Sequence, residues 1–85
     1  LSGSYEGGVS NNVLFNPSGN PSVLVYGKST ANIITANVFR GGPGTDVILG
    51  PLSLYNKVYG NTGQQTLSIA VSDLGATNLV GSTGN

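Results

Sequence analysis

Leu52-Ser53-Leu54-Tyr55-Asn56-Lys57-Val58-Tyr59-Gly60-Asn61-Thr62-Gly63-Gln64-Gln65-Thr66-Leu67-Ser68-Ile69-Ala70-Val71-Ser72-Asp73 is the stretch on which the fold reading turns. From Gln65 to Asp73 the chain alternates, with Leu67, Ile69 and Val71 on one side and Ser68, Ala70 and Ser72 on the other. Period two over such a run is the pattern of a half-buried strand. Upstream, Leu52, Leu54 and Val58 share a face interrupted by Asn56, while Tyr55, Lys57 and Tyr59 share the opposite face. Gly60-Asn61-Thr62-Gly63, between the two runs, has the composition of a four-residue hairpin loop. An antiparallel pair joined at residues 60–63 is the expectation.

Outward from that pair, glycine and proline recur at intervals of about ten residues, the spacing of an all-β chain. Further strands are expected at Asn12–Asn16, Ser22–Lys28, Ala31–Arg40, Thr45–Leu49 and Ala76–Val80, and no window reads as a helix. Six or seven short strands predict a small antiparallel β-sandwich, Ig-like or a reduced jelly roll. Its core would come from Val13, Phe15, Val25, Ile34, Val38, Ile48, Leu52, Leu54, Leu67, Ile69 and Val71. No firm internal repeat is read: Asn12-Val13-Leu14 and Asn78-Leu79-Val80 echo one another only loosely. Cross-β stacking is the alternative for a chain rich in Gly, Asn and Ser, but the distinct turns and the alternation favour a specific fold.

Eighty-five residues make one domain with a thin core. Residues 1–8, Leu-Ser-Gly-Ser-Tyr-Glu-Gly-Gly, read as an N-terminal arm, flexible or donated as a strand, and residues 9–85 as a single β domain. With neither cysteine nor histidine, disulfides and the commonest zinc ligands are both missing, which leaves oligomerisation as the staple for a small core. Only Glu6, Lys28, Arg40, Asp46, Lys57 and Asp73 are charged, against about 25% in typical soluble domains. The net charge is zero, so little repulsion holds copies apart. Three scattered basic residues cannot form the cationic stripe that nucleic acid requires, and no apolar run is long enough for membrane insertion by a helix. A chain starting at Leu1 and lacking methionine is expected to be a processed product or a fragment, with leader removal the preferred explanation.

Gly41-Gly42-Pro43-Gly44-Thr45-Asp46-Val47-Ile48-Leu49 fits the G-G-x-G-x-D-x-U-x nonapeptide of calcium-binding β-rolls. It resembles one unit of an RTX repeat, over nine of the 85 residues. In that family stacked turns share each ion, so a lone unit supplies half a site, with Asp46 its one carboxylate. The next nonapeptides lack the aspartate: Gly50 to Val58 has no glycine pair, and Gly60 to Ser68 has Gln65 in its place. A glycine-rich hairpin turn without a tight calcium site is therefore expected. No cofactor is implied.

Catalysis is not expected. A carboxylate pair would have to come from Glu6 in the arm and from Asp46 and Asp73 at turns. Lys28 has no serine marked as its nucleophilic partner, and the usual general base, histidine, is missing. Asn16 and Asn20 precede Pro-Ser and are excluded as glycosylation acceptors. What remains is surface. Tyr55, Lys57 and Tyr59 form a strand platform suited to an interface, and to a lesser degree to a glycan. Leu1 and Tyr5, four residues apart, would anchor the arm on a neighbour's edge. The functional expectation is a non-catalytic structural subunit, extracellular or on a virion surface, that associates with copies of itself or a larger assembly. A carbohydrate- or receptor-binding module is the alternative, and a non-catalytic fragment of a secreted enzyme comes third.

Overall fold

Two nine-residue runs, aligned, show what organises the chain: Ser29-Thr30-Ala31-Asn32-Ile33-Ile34-Thr35-Ala36-Asn37 and Ser53-Leu54-Tyr55-Asn56-Lys57-Val58-Tyr59-Gly60-Asn61. Serine, both asparagines and a buried aliphatic recur at the same places. In the computed structural model, which describes residues 1–16, 20–41, 44–63 and 69–81, these runs lie one directly over the other. The described strands are β1 Gly8–Ser10, β2 Val13–Asn16, β3 Val23–Val25, β4 Ile33–Thr35, β5 Val38–Gly41, β6 Val47–Leu49, β7 Lys57–Tyr59, β8 Thr62–Gly63, β9 Val71–Asp73 and β10 Leu79–Val80. Each strand pairs with the one three places on, giving sheets of order β1-β4-β7-β10, β2-β5-β8 and β3-β6-β9. All the described pairings are parallel. Val23 pairs with Val47 and Val47 with Val71, a step of 24 residues. The chain thus winds as a three-sided parallel β-solenoid, each coil resting on the last.

The antiparallel sandwich is overturned by this strand order, and with it the hairpin at residues 60–63. Gly60 and Asn61 turn a corner between β7 and β8, whose partners are β4 and β5 in the coil before. Alternation reports that one strand face is buried; it carries no information on strand direction or on which strand lies alongside.

Corners explain the shortness of the strands. Glu6, Ala31 and Tyr55 have φ of 56°, 60° and 57° and occupy one corner in successive coils; Asn11, Ala36 and Gly60, at 58°, 58° and 68°, occupy the next. A left-handed residue redirects the chain sharply, so the single strand expected over Ala31–Arg40 is two, β4 and β5, broken at Ala36. Non-glycine residues in this conformation cost about 1–2 kcal/mol each. Ala36→Gly and Ala31→Gly should therefore each raise stability, by about 0.5–1 kcal/mol after the added unfolded-state entropy of glycine is deducted. Urea unfolding at fixed protein concentration checks this: both midpoints should move up with the slope unchanged.

The interior is filled by Val23, Val25, Ile34, Phe39, Val47, Leu49, Val58 and Ile69, with Leu1, Val9, Leu14, Val71 and Val80 partly buried against them. They stack in rows along the coil axis: Val9, Ile34, Val58 and Val80 in one, Val23, Val47 and Val71 in another. Of the expected core, Val25, Ile34 and Ile69 are buried and Val71 half-buried. Val38 and Ile48 are only half-buried, and Leu67 lies outside the described residues. Val13 and Phe15 point outward, at 66% and 71% exposure, because Leu14 between them is the residue that stacks on Phe39. Leu52 and Leu54 are also exposed. The left-handed residue at Tyr55 resets the alternation, so the face they occupy does not continue to Val58.

Residues 1–8 lie along the second coil rather than away from the body. Tyr26 N donates to Leu1 O at 2.8 Å, Thr30 N to Ser4 O at 2.8 Å and Glu6 N to Thr30 O at 3.0 Å, and Gly8 opens β1.

Candidate interaction surface

Winding buries backbone polar groups at the two corners that flank the β1-β4-β7-β10 sheet, and among the described residues asparagine is what satisfies most of them. Asn32 donates both its amide N–H and its Nδ2 to Asn56 Oδ1, each at 2.9 Å, and Asn56 does the same to Asn78 Oδ1 at 2.9 Å. At the next corner Asn12 N and Nδ2 donate to Asn37 Oδ1 at 3.0 and 3.1 Å, and Asn37 N and Nδ2 to Asn61 Oδ1 at 3.0 Å. The second Nδ2 hydrogen reaches back to a main-chain carbonyl: Asn32 to Ser4 O, Asn56 to Ser29 O, Asn37 to Val9 O. Ser29 and Ser53, buried beside this ladder, donate Oγ to Tyr26 O and Gly50 O at 2.8 and 2.6 Å. A neutral amide carries donors and acceptor together, so these corners are satisfied without burying charge, which would cost far more. Six charged residues in 85 is the compositional consequence.

The ladders end at two unlike surfaces. Successive residues of a strand direct their N–H and C=O to opposite sides. Ile33 N donates to Gly7 O at 3.1 Å, so Gly7 and Val9 face β4, and the backbone groups of Gly8 and Ser10 face away from the stack. Val38 N donates to Asn12 O at 2.8 Å, which leaves those of Val13 and Phe15 on the same open edge. Beneath this edge lie the partly buried Leu1, Val9 and Leu14. At the far end Leu79 N and Gly81 N donate to Asn56 O and Val58 O at 2.8 and 2.9 Å, so the backbone groups of Asn78 and Val80 face outward.

The residues expected at an interface are dispersed. Lys57 and Tyr59 lie on the outer face of β7, beside Ile33 and Thr35 of β4, with Leu79 next to Lys57 on the other side. Tyr55 is exposed too, but it sits on the corner preceding the strand and not on one platform with them. Leu1 and Tyr5 diverge: Leu1 packs on the core while Tyr5 is 71% exposed, since Gly3, at φ 61°, breaks the extended run between them. Asp46 Oδ2 accepts from Ala70 N of the following coil at 3.0 Å, and Asp73 Oδ1 accepts from Gly75 N and Asn78 Nδ2 at 3.0 and 2.9 Å. Both carboxylates hold turns in place. Among the described residues no three of His, Cys, Asp or Glu are grouped so as to hold a metal ion.

The asparagine ladders and the open edges were both missed by residue-type reasoning. Their signal is the pattern S-x-x-N-x-[IV]-x-x-N, at Ser29 and again 24 residues later at Ser53. Comparison with family models, with curated proteins and with solved structures returns no match.

Proposed function

We propose that this chain is a non-catalytic structural module that associates with further copies of itself by strand addition to the ends of its coil stack. The observation that carries the reading is the open edge of β1 and β2, where the main-chain groups of Gly8, Ser10, Val13 and Phe15 face outward above partly buried Leu1, Val9 and Leu14. An uncovered edge of this kind is a template for another strand. Natural edges are blunted by lysine, proline or a bulge; β1 and β2, Gly-Val-Ser and Val-Leu-Phe-Asn, contain none of these residues. Zero net charge removes the repulsion that would oppose it.

Proline at Ser10 and Val13 separates edge pairing from folding, because neither amide donates within the stack. The unmodified chain should sediment with a mean mass that rises across a hundredfold range of concentration. The Ser10→Pro/Val13→Pro variant should stay at much lower mass with its β-type circular dichroism intact. A monomer mass for the unmodified chain throughout that range overturns the reading.

A further inference from the structure

Two rows of side chains on the outer face of the β1-β4-β7-β10 sheet take no part in the core or in the ladders. Ile33, Lys57 and Leu79 are register partners in one row, and Ser10, Thr35 and Tyr59 in the other. Both rows point away from Val9, Ile34, Val58 and Val80, which face the interior. Ser10, Thr35 and Tyr59 all carry hydroxyls, and none of the three has a hydrogen-bond partner among the described residues. The hydroxyls of Ser4, Ser29 and Ser53, by contrast, are spent on the fold, donating to Asn32 Oδ1, Tyr26 O and Gly50 O. Gly60 keeps Thr35 open on the side of the next coil, since a Cβ there would stand 3.2 Å from the threonine Oγ1.

Coils about 4.8 Å apart and alternate strand residues about 6.6 Å apart make this a strip about 14 Å long and about 7 Å wide. A stable protein–protein contact takes about 800 Å² a side, far more than the strip offers. Of its six side chains only Lys57 is charged, so an anionic polymer would find a single cation. The strip is small, nearly neutral, apolar along one row and hydroxylated along the other. A pyranose has the same division, with C–H groups on its ring faces and hydroxyls around its rim. Equatorial β-links string such rings into a straight ribbon whose rise per ring is close to the spacing of the coils.

We propose that this strip binds an extended, uncharged β-linked oligosaccharide, laid along the coil axis across β4 and β7. Tyr59 supplies a ring for a C–H face and an O–H at its tip. Ile33 and Leu79 supply the apolar floor, and Lys57 can lay its stem on that floor with the ammonium free to donate. Ser10 and Thr35 exchange hydrogen bonds with the hydroxyl rim. The site lies on the side of the stack, so strand addition at an edge leaves it uncovered.

Saturation-transfer difference NMR with cellohexaose in excess is the test, because the signal is read on the sugar and tolerates a chain that has associated. Saturation should reach the ring C–H protons, and titration should give a saturable curve. Tyr59→Ala and Thr35→Val lie outside the core and should keep the circular dichroism and melting temperature of the unmodified chain. Each should nevertheless weaken the affinity by about three- to tenfold. Tyr26→Ala, which removes an exposed tyrosine at the end of β3, should leave the affinity unchanged. Maltohexaose, of the same composition but curved by its α-links, should receive much less saturation. Absence of transfer to cellohexaose overturns the proposal, and so does an affinity unmoved by both Tyr59→Ala and Thr35→Val. Equal transfer to maltohexaose also overturns it, since that would be a sugar touching any exposed ring. If the two variants instead lower the sedimenting mass, with no transfer to sugar, the strip belongs to a contact between copies and the proposal fails.

Discussion

Asn56→Ala is expected to lower stability by about 3 kcal/mol or more, a fall in melting temperature of roughly 12–25 °C for a chain of this size. The truncation leaves three kinds of group without partners at once. Asn32 loses the acceptor of both its amide and its Nδ2, Ser29 O loses a donor, and Asn78 Oδ1 loses one of two. Asn56 and Asn32 are both fully buried, so water cannot replace what is lost. Asn12→Ala makes the comparison, since Asn12 stands at the exposed start of the other ladder. It should cost about 1 kcal/mol, the ordinary net worth of a hydrogen bond. Thermal melts at one fixed protein concentration separate the two, a control needed because association alone would shift the midpoint. Equal, small losses for both variants would mean the ladders are not the framework of the fold.

Ile34→Ala should be similarly damaging, at about 2–5 kcal/mol, because its side chain is fully buried in the row between Val9 and Val58 and the flanking coils cannot collapse independently. Phe15→Ala, which removes more apolar volume, should change the stability of the folded chain by no more than about 0.5 kcal/mol. The contrast is sharp because a sandwich core would contain both residues. Denaturant unfolding of the two variants measures it, and a large loss for Phe15→Ala would contradict the outward placement of β2's aromatic.

Much of the strand content was legible. Val13–Asn16, Val23–Val25 and Val47–Leu49 lie inside segments whose alternation and turn chemistry marked them as strands. Direction was not, because the same inward and outward alternation serves a parallel neighbour 24 residues away or an antiparallel one across a loop. The corners hid the rest. Ala31, Ala36 and Tyr55 carry no turn signature, yet each is left-handed, since the buried ladder on its C-terminal side holds the chain there. Residue type alone places Asn32, Asn37, Asn56 and Asn61 in water, whereas they are among the most buried of the described side chains. Glu6 and Gly7 disguise the repeat further: Gly7 stands where the ladder has asparagine, and Ser4 Oγ fills the gap by donating to Asn32 Oδ1 at 2.8 Å. Of the residues expected at an interface, Tyr5, Tyr55, Lys57 and Tyr59 are exposed, whereas Leu1 packs on the core. Their grouping depended on a strand that the corner at Tyr55 interrupts.

Everything proposed depends on coils stacked in parallel register at a 24-residue step, and a pair of spin labels reads that directly. The chain has no cysteine, so Ile33→Cys and Lys57→Cys introduce the two attachment points, both on outward positions that pair across β4 and β7. Neighbouring strands stand about 4.8 Å apart, which brings the labels close enough for strong dipolar broadening of the continuous-wave spectrum. The doubly labelled chain is diluted into excess unlabelled chain, so that contacts between copies do not contribute. A coil stack requires broadening that is absent from either single-label spectrum and disappears on unfolding in denaturant. A double-label spectrum equal to the sum of the singles would place residues 33 and 57 apart and contradict the solenoid.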